Sequence, residues 1–254
     1  METLTSQLLA GHVNVRHAFF TRNGGTSSGL YDSLNCSFSA GDQARAVQAN
    51  LECVTSHLDV HRSQLWSPKQ VHSPRVLVVD KAPSRPRPEA DGTVTQTRGI
   101  ALSVMGADCA PVLFSCPDAA LIGAVHAGWK GALHGVLEGA LARFEELGAH
   151  ANLVDAAIGP CIAQASYEVG PEFRRQFVDW DSRYASFFDS SRNEKYHFDL
   201  PGFIAFRLSR AGVRAIDTLG VDTLADADRF FSYRRATLLG EAACGRQISV
   251  IMLK

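Results

Sequence analysis

Apolar positions along this chain change their period several times, and each change marks an element. Val47, Leu51, Val54 and Leu58 recur at helical spacing, so an amphipathic helix is expected over about 45–58. Short apolar runs at 100–104, 112–115 and 121–125, each bounded by Gly, Pro or Asp, predict three strands close in sequence. Leu133, Leu137, Leu141, Phe144 and Leu147 then share one face, which predicts a single helix from Gly131 that Gly148 stops. LVDAAIG and PRVLVVD read as strands, Pro171–Val178 as a short helix, and RQISVIML as a closing strand. Asp199-Leu-Pro-Gly has the form of a cap and first turn leading to a helix that ends near Gly212. HAFFTRNGGTSSGLYDSLN begins as a strand and runs into a Gly/Ser/Asn-rich loop, and the four prolines of KAPSRPRPEADG mark a surface connection. Several strands follow one another without an intervening helix, which favours α+β with mixed sheets over a doubly wound parallel sheet.

Composition narrows the function classes. A chain of 254 residues, 46% hydrophobic, is long enough to bury a large core and fits a single domain over 1–254. With 25 basic against 26 acidic side chains there is no basic excess to meet a row of phosphates, so no nucleic-acid partner is expected. The sequence METLTSQLLAGHVNVRH lacks the pattern of a secretory leader, and no run of about 18 apolar residues occurs; no membrane partner and a cytoplasmic location are expected. The six cysteines contain no Cys-x-x-Cys pair and read as thiols in a reducing compartment. The oligomeric state is not legible here.

Three polar residues stand where apolar strands begin or end: His72 before PRVLVV, Cys109 before the run that includes VLFS, and His126 after LIGAV. Strand ends on one sheet edge converge, and two imidazoles with a thiolate form a three-ligand set suited to zinc, leaving a fourth tetrahedral position open for chemistry. The same residues also fit a cysteine hydrolase, with Cys109 the nucleophile and His126 or His72 its base. Copper is a third reading, weakened by a chain that has nine histidines and no His-x-His pair.

TRNGGTSSGLYDSLN, KQVHS, EADGTVT, GADCAPVLF, AVHAGWKG, IGPCIAQASYEVG and FFSYRR occur in that order. This series resembles the YfiH-type laccase-domain family, known first as polyphenol oxidases and later as purine nucleoside phosphorylases with adenosine deaminase activity. The resemblance covers about residues 19–253. It implies zinc, with copper as the alternative ion, on His72, Cys109 and His126, and a fold of two packed mixed sheets flanked by helices. It implies phosphorolysis of adenosine, inosine and 5'-methylthioadenosine to base and sugar 1-phosphate, and deamination of adenosine to inosine. The expected partners are therefore purine nucleosides and phosphate. Besides Cys109, the catalytic candidate is Asp108, able to orient a ligand or carry a proton. Substrate-binding candidates within the matched motifs are Arg22, Asn35, Lys130, Glu168 and Arg234, with Arg235 a further cation for an anion site. Tyr167 reads as packing.

The chain also departs from the family pattern. Lys130 stands where the family commonly has Arg, replacing a bidentate fork by a point charge. Ser166 and Asp222-Thr223 stand where family thiols are often found, and ATLLGEAACGRQ is longer than the usual turn at that edge. A non-catalytic module with structural zinc is the remaining rival to an enzyme.

Overall fold

The computed structural model describes residues 1–81, 86–190 and 194–254; the proline-rich connection falls partly on 82–85, outside them. In chain order the first half contains β1 (Thr3–Leu4), α1 (Gln7–Ala10), β2 (Val15–Phe20), α2 (Ala44–His57), β3 (Leu65–Trp66), β4 (Val76–Val78), β5 (Gly92–Thr95), β6 (Ala101–Gly106), β7 (Ala110–Cys116) and β8 (Leu121–Ala127). The second half contains α3 (Trp129–His134), α4 (Val136–Glu146), β9 (Asp155–Ile158), β10 (Glu168–Val169), α5 (Pro171–Val178), β11 (Phe188–Ser190), β12 (Tyr196–Phe198), α6 (Leu200–Arg210), β13 (Ala215–Thr218), α7 (Tyr233–Leu238) and β14 (Gln247–Leu253).

The strands form a five-stranded sheet, β1-β2-β14-β6-β3, and a six-stranded sheet, β13-β9-β7-β8-β5-β4. Both are mixed: β3 lies parallel to β6 in the first, while β13–β9 and β4–β5 are the parallel pairs of the second. A third, antiparallel sheet of β10, β12 and β11 adds to the expected two. Its strands are two or three residues long, too short for their alternation to stand out in the sequence.

Period-two alternation decides which side chains meet. Leu102 and Val104 of β6, Ile251 and Leu253 of β14 and Phe19 of β2 pack against Leu113, Ile122, Ala124 and Ala157 of the six-stranded sheet. The opposite face of the five-stranded sheet, including Phe20, Ile248 and Val250, receives the α2 stripe Val47, Leu51, Val54 and Leu58. The far face of the six-stranded sheet packs on Leu137, Leu141 and Phe144 of α4 and on Phe203 and Ile204 of α6. The fold is thus α+β, two facing sheets with helices on both outer sides. Phe177 joins α5 to the small sheet, its ring centroid 4.6 Å from Phe198 and 5.2 Å from Phe203.

The helix expected over 131–147 is two helices. Gly135, at φ 97, breaks it between α3 and α4, a conformation that costs L-residues about 1–2 kcal/mol. The apolar face runs through the break, so periodicity alone conceals it. Gly148, at φ 91, terminates the pair as expected. Asp199 caps α6 by accepting a bond from Gly202 N at 2.9 Å, again as its sequence signature predicts.

At the end of the sandwich where β2 begins, Ser6 N donates to His17 Nε2 at 2.9 Å and Ser6 Oγ donates to Asp217 Oδ2 at 2.6 Å, tying the first turn to β2 and β13. Burial, with repulsion from His12 added, lowers His17 to about 4 against the pull of Asp217.

Candidate metal centre

β7 and β8 run antiparallel, with Ala110 opposite Ala127 and Pro111 opposite His126. That register sets Cys109, at the start of one strand, beside His126, at the end of the other. His72 arrives from the turn before β4, two strands along the same sheet edge. One ligand atom from each of the three residues lies within 4.8 Å of the other two. The His72 and His126 rings stand edge to face with centroids 4.8 Å apart, and His72 Nε2 is 3.9 Å from Cys109 Sγ. The expected trio is therefore brought together, from partners far apart in the chain. Among the described residues it is the one group of three or more His, Cys, Asp or Glu placed to hold an ion.

Two features show how the backbone makes room. A Cβ added at Gly128 would stand 2.9 Å from Cys109 Sγ and 3.1 Å from His72 Cδ2, so the glycine of HAGW keeps the mouth of the centre clear. His72 and Asp108 occupy positive φ, 59 and 82, a conformation unusual for non-glycine residues that is held by surrounding bonds. On the buried side, a small cavity of about 10 Å³, lined in part by Cys109, Phe19, Pro160 and Phe230, has space for about one water.

The electrostatics favour a thiolate at Cys109. Burial by itself raises the Cys109 thiol, but the charge and hydrogen bond of His126, joined by those of His72, bring it below its ordinary value. Burial by itself lowers His126, but Cys109 and Asp91 hold it above its ordinary value. The donor set, two nitrogens and one sulfur facing a shared point, fits zinc and accommodates copper.

Asp91 does not stand out in the sequence. It lies in EADGTVT, where Asp before Gly looks like turn chemistry, yet it is fully buried beneath the centre. Oδ1 accepts from His126 Nδ1 at 2.9 Å and His72 N at 2.9 Å, while Oδ2 accepts from Ser73 N at 2.6 Å and Ser73 Oγ at 2.8 Å. Burial by itself raises this carboxyl; the His126 and Ser73 bonds overcome it and hold Asp91 at about 2. Only an Asp at the right tertiary distance from a ligand histidine carries this signal, and one sequence does not display it.

The remaining candidates divide. Asp108 adjoins Cys109 and is buried, but Oδ1 accepts from Thr223 Oγ1 at 2.7 Å and Oδ2 from Arg234 N at 2.6 Å, so it anchors the start of α7 to the centre. Arg234 donates through Nη1 to Glu168 O at 2.7 Å and lies 5.3 Å from the Tyr167 ring centroid. Tyr167 packs as expected, its ring centroid 5.8 Å from those of Phe173 and Phe198, and burial, joined by the charge of Cys109, raises its phenol. The Glu168 carboxylate pairs instead with Lys195 at 2.6 Å. Lys130 is exposed, its ammonium 5.4 Å from the Trp129 ring centroid. Arg22 donates to Asp32 O at 2.6 Å and stacks 4.4 Å over Phe231. Arg235 donates to Thr223 O, Leu224 O and Phe230 O. Asn35 is fully buried, its Nδ2 donating to Asp42 Oδ2 at 3.0 Å and its Oδ1 accepting from Arg246 N at 3.0 Å. Arg22, Arg235 and Asn35 thus use their polar groups within the fold.

A family model described as multi-copper polyphenol oxidoreductase laccase matches residues 16–254. A purine nucleoside phosphorylase of Rickettsia prowazekii is 32% identical over 96% of this chain and 98% of its own length. One of Pseudomonas aeruginosa is 36% identical over 90% and 91%. Among solved structures, a Neisseria meningitidis protein of family DUF152 superposes with TM-score 0.89 at 32% identity, covering 100% of both chains. The Bacillus licheniformis protein YfiH superposes with TM-score 0.86 at 26% identity, covering 94% and 93%.

Proposed function

The chain belongs to the family described as multi-copper polyphenol oxidoreductase laccase, and from that premise we propose that it is a zinc-dependent purine nucleoside phosphorylase that also deaminates adenosine. The observation that carries this reading is the meeting of His72, Cys109 and His126 at one sheet edge, in a family whose relatives include proteins named purine nucleoside phosphorylase. Among the described residues a single three-ligand set is found, which supports one ion with an open position rather than the several coppers of the family's description.

His72, Cys109 and His126 would hold zinc, which supplies Lewis acidity at that position. The chain's own residues do the rest. Asp91 holds His126 through Nδ1, and Cys109 contributes a thiolate. Phosphorolysis breaks the bond between purine N9 and ribose C1' and forms one from C1' to a phosphate oxygen, so it needs a cation beside the centre. Arg234 fits that role: its backbone is fixed by Asp108, and among the described residues its Nε and Nη2 carry no protein hydrogen bond. Lys130, exposed two residues from Gly128, is the second cation. Deamination adds water at purine C6, breaks the C6–N bond and releases ammonia, leaving the oxygen of inosine, and it needs no anion site. Substrates are purine nucleosides, with adenosine, inosine and 5'-methylthioadenosine the expected set, and the location is cytoplasmic.

A second reading has its own support, since Cys109, His126 and Asp91 form a thiol–imidazole–carboxylate series like that of a cysteine hydrolase. Zinc-quantified protein incubated with adenosine, with and without phosphate and beside Cys109→Ala, separates the two. Phosphate-dependent adenine, or inosine without phosphate, both lost in the variant, supports the nucleoside enzyme. Intact adenosine in every sample sinks it and favours the hydrolase, which predicts loss of activity on thiol alkylation without metal release.

A further inference from the structure

We infer that Asp91 is the positioning residue that makes the His72–Cys109–His126 centre competent for metal, because one buried carboxylate fixes both the ring of His126 and the backbone turn that delivers His72. This rests on the metal reading of the centre and adds a fourth, non-ligating residue to it. Asp91 carries no solvent exposure, yet it accepts bonds from two separate segments. Through Oδ1 it receives His126 Nδ1 and His72 N, each at 2.9 Å. Through Oδ2 it receives Ser73 N at 2.6 Å, Ser73 Oγ at 2.8 Å and Val71 N at 3.2 Å. The backbone repeats the connection, since His126 N donates to Asp91 O at 2.7 Å.

The consequences differ for the two ligands. For His126, the bond keeps a ring proton on Nδ1, so Nε2 is the nitrogen left to a metal. For His72, three consecutive backbone N–H groups close on one carboxylate, which holds the residue at φ 59. The carboxylate acts as an acceptor at every contact, and that is why an amide cannot replace it. In Asp91→Asn, an amide oxygen at the Oδ1 position would leave the NH2 facing the N–H groups of Val71 and Ser73. In the opposite flip, the NH2 would face His126 Nδ1 and drive the ring proton to Nε2, the nitrogen needed for the metal.

The experiment is zinc affinity by chelator competition on purified wild type and Asp91→Asn, with circular dichroism and thermal melts of both. The expected result is a folded variant whose affinity falls by about 10–100-fold. Equal affinity in the two proteins overturns the inference, and a wild type that takes up no stoichiometric zinc overturns the metal reading and the inference with it. A variant that does not fold shifts the decision to 15N NMR of the His126 ring in zinc-loaded wild type. There the proton is expected on Nδ1 with metal on Nε2; the reverse pattern overturns the inference.

Discussion

Gly128 is a residue whose value lies in what it omits. With Cys109 Sγ 2.9 Å and His72 Cδ2 3.1 Å from where its Cβ would stand, Gly128→Ala forces one ligand aside. Zinc affinity is expected to fall by about tenfold or more while the melting temperature changes little, as metal quantification beside calorimetry would show. At the other end of the sheets His17 makes a pH prediction. It is depressed by burial from 6.5 to about 4, so between those values the unfolded chain takes up the proton more readily than the folded one. Stability from this group is complete above the upper value and declines as pH falls toward the lower. Gln keeps an acceptor for Ser6 N and removes the titration, so urea unfolding of His17→Gln should lose less stability than wild type between about pH 7 and pH 4.5. Equal losses in the two proteins would assign that acid sensitivity elsewhere. The metal trio is readable in the sequence because strand-end His and Cys are few and chemically distinctive. Asp91 is not, because a buried acceptor is defined by distance, and its local sequence looks like a turn.

Among elements, the break between α3 and α4 shows what periodicity conceals. Leu133 and Leu137 belong to one buried cluster although Gly135 lies between them in a left-handed conformation. A helical template scores both as one face and cannot see the dihedral. Gly135→Ala should therefore destabilise the protein by about 1–2 kcal/mol, read as a lower urea midpoint with unchanged slope, whereas an unbroken helix would gain stability from the same change. Elements with caps are legible in the sequence: Pro171 begins α5 and Asp199 caps α6 as their signatures predict. The three short strands of the small sheet have no such markers; their positions follow from packing around Phe177 and Phe198. α7 is also short, and its start is set by Asp108 and Ser232 rather than by any apolar repeat.

For the whole molecule, mixed sheets are legible from strands that follow one another directly, but their order is not. The pairing of β14 with both β2 and β6 joins parts of the chain that no local pattern connects. Ile251 lies at that junction, fully buried between the sheets. Ile251→Ala should cost about 2–5 kcal/mol and lower the melting temperature by several degrees, without altering zinc stoichiometry in the protein that remains folded. A fall in zinc per folded molecule would instead tie the sandwich core directly to the centre.

The central place of β14 also bears on how the molecule is made. Its register sets Gln247 against Gly106 and Leu253 against Val15, so the five-stranded sheet has a gap through its middle until those late residues leave the ribosome. β2 and β6 emerge long before their shared neighbour and expose unpaired edges while synthesis continues. The six-stranded sheet, which carries Cys109 and His126, has its central β7–β8 hairpin complete much earlier. Synthesis therefore completes the hairpin that carries Cys109 and His126 before it supplies the strand that closes the layer behind it.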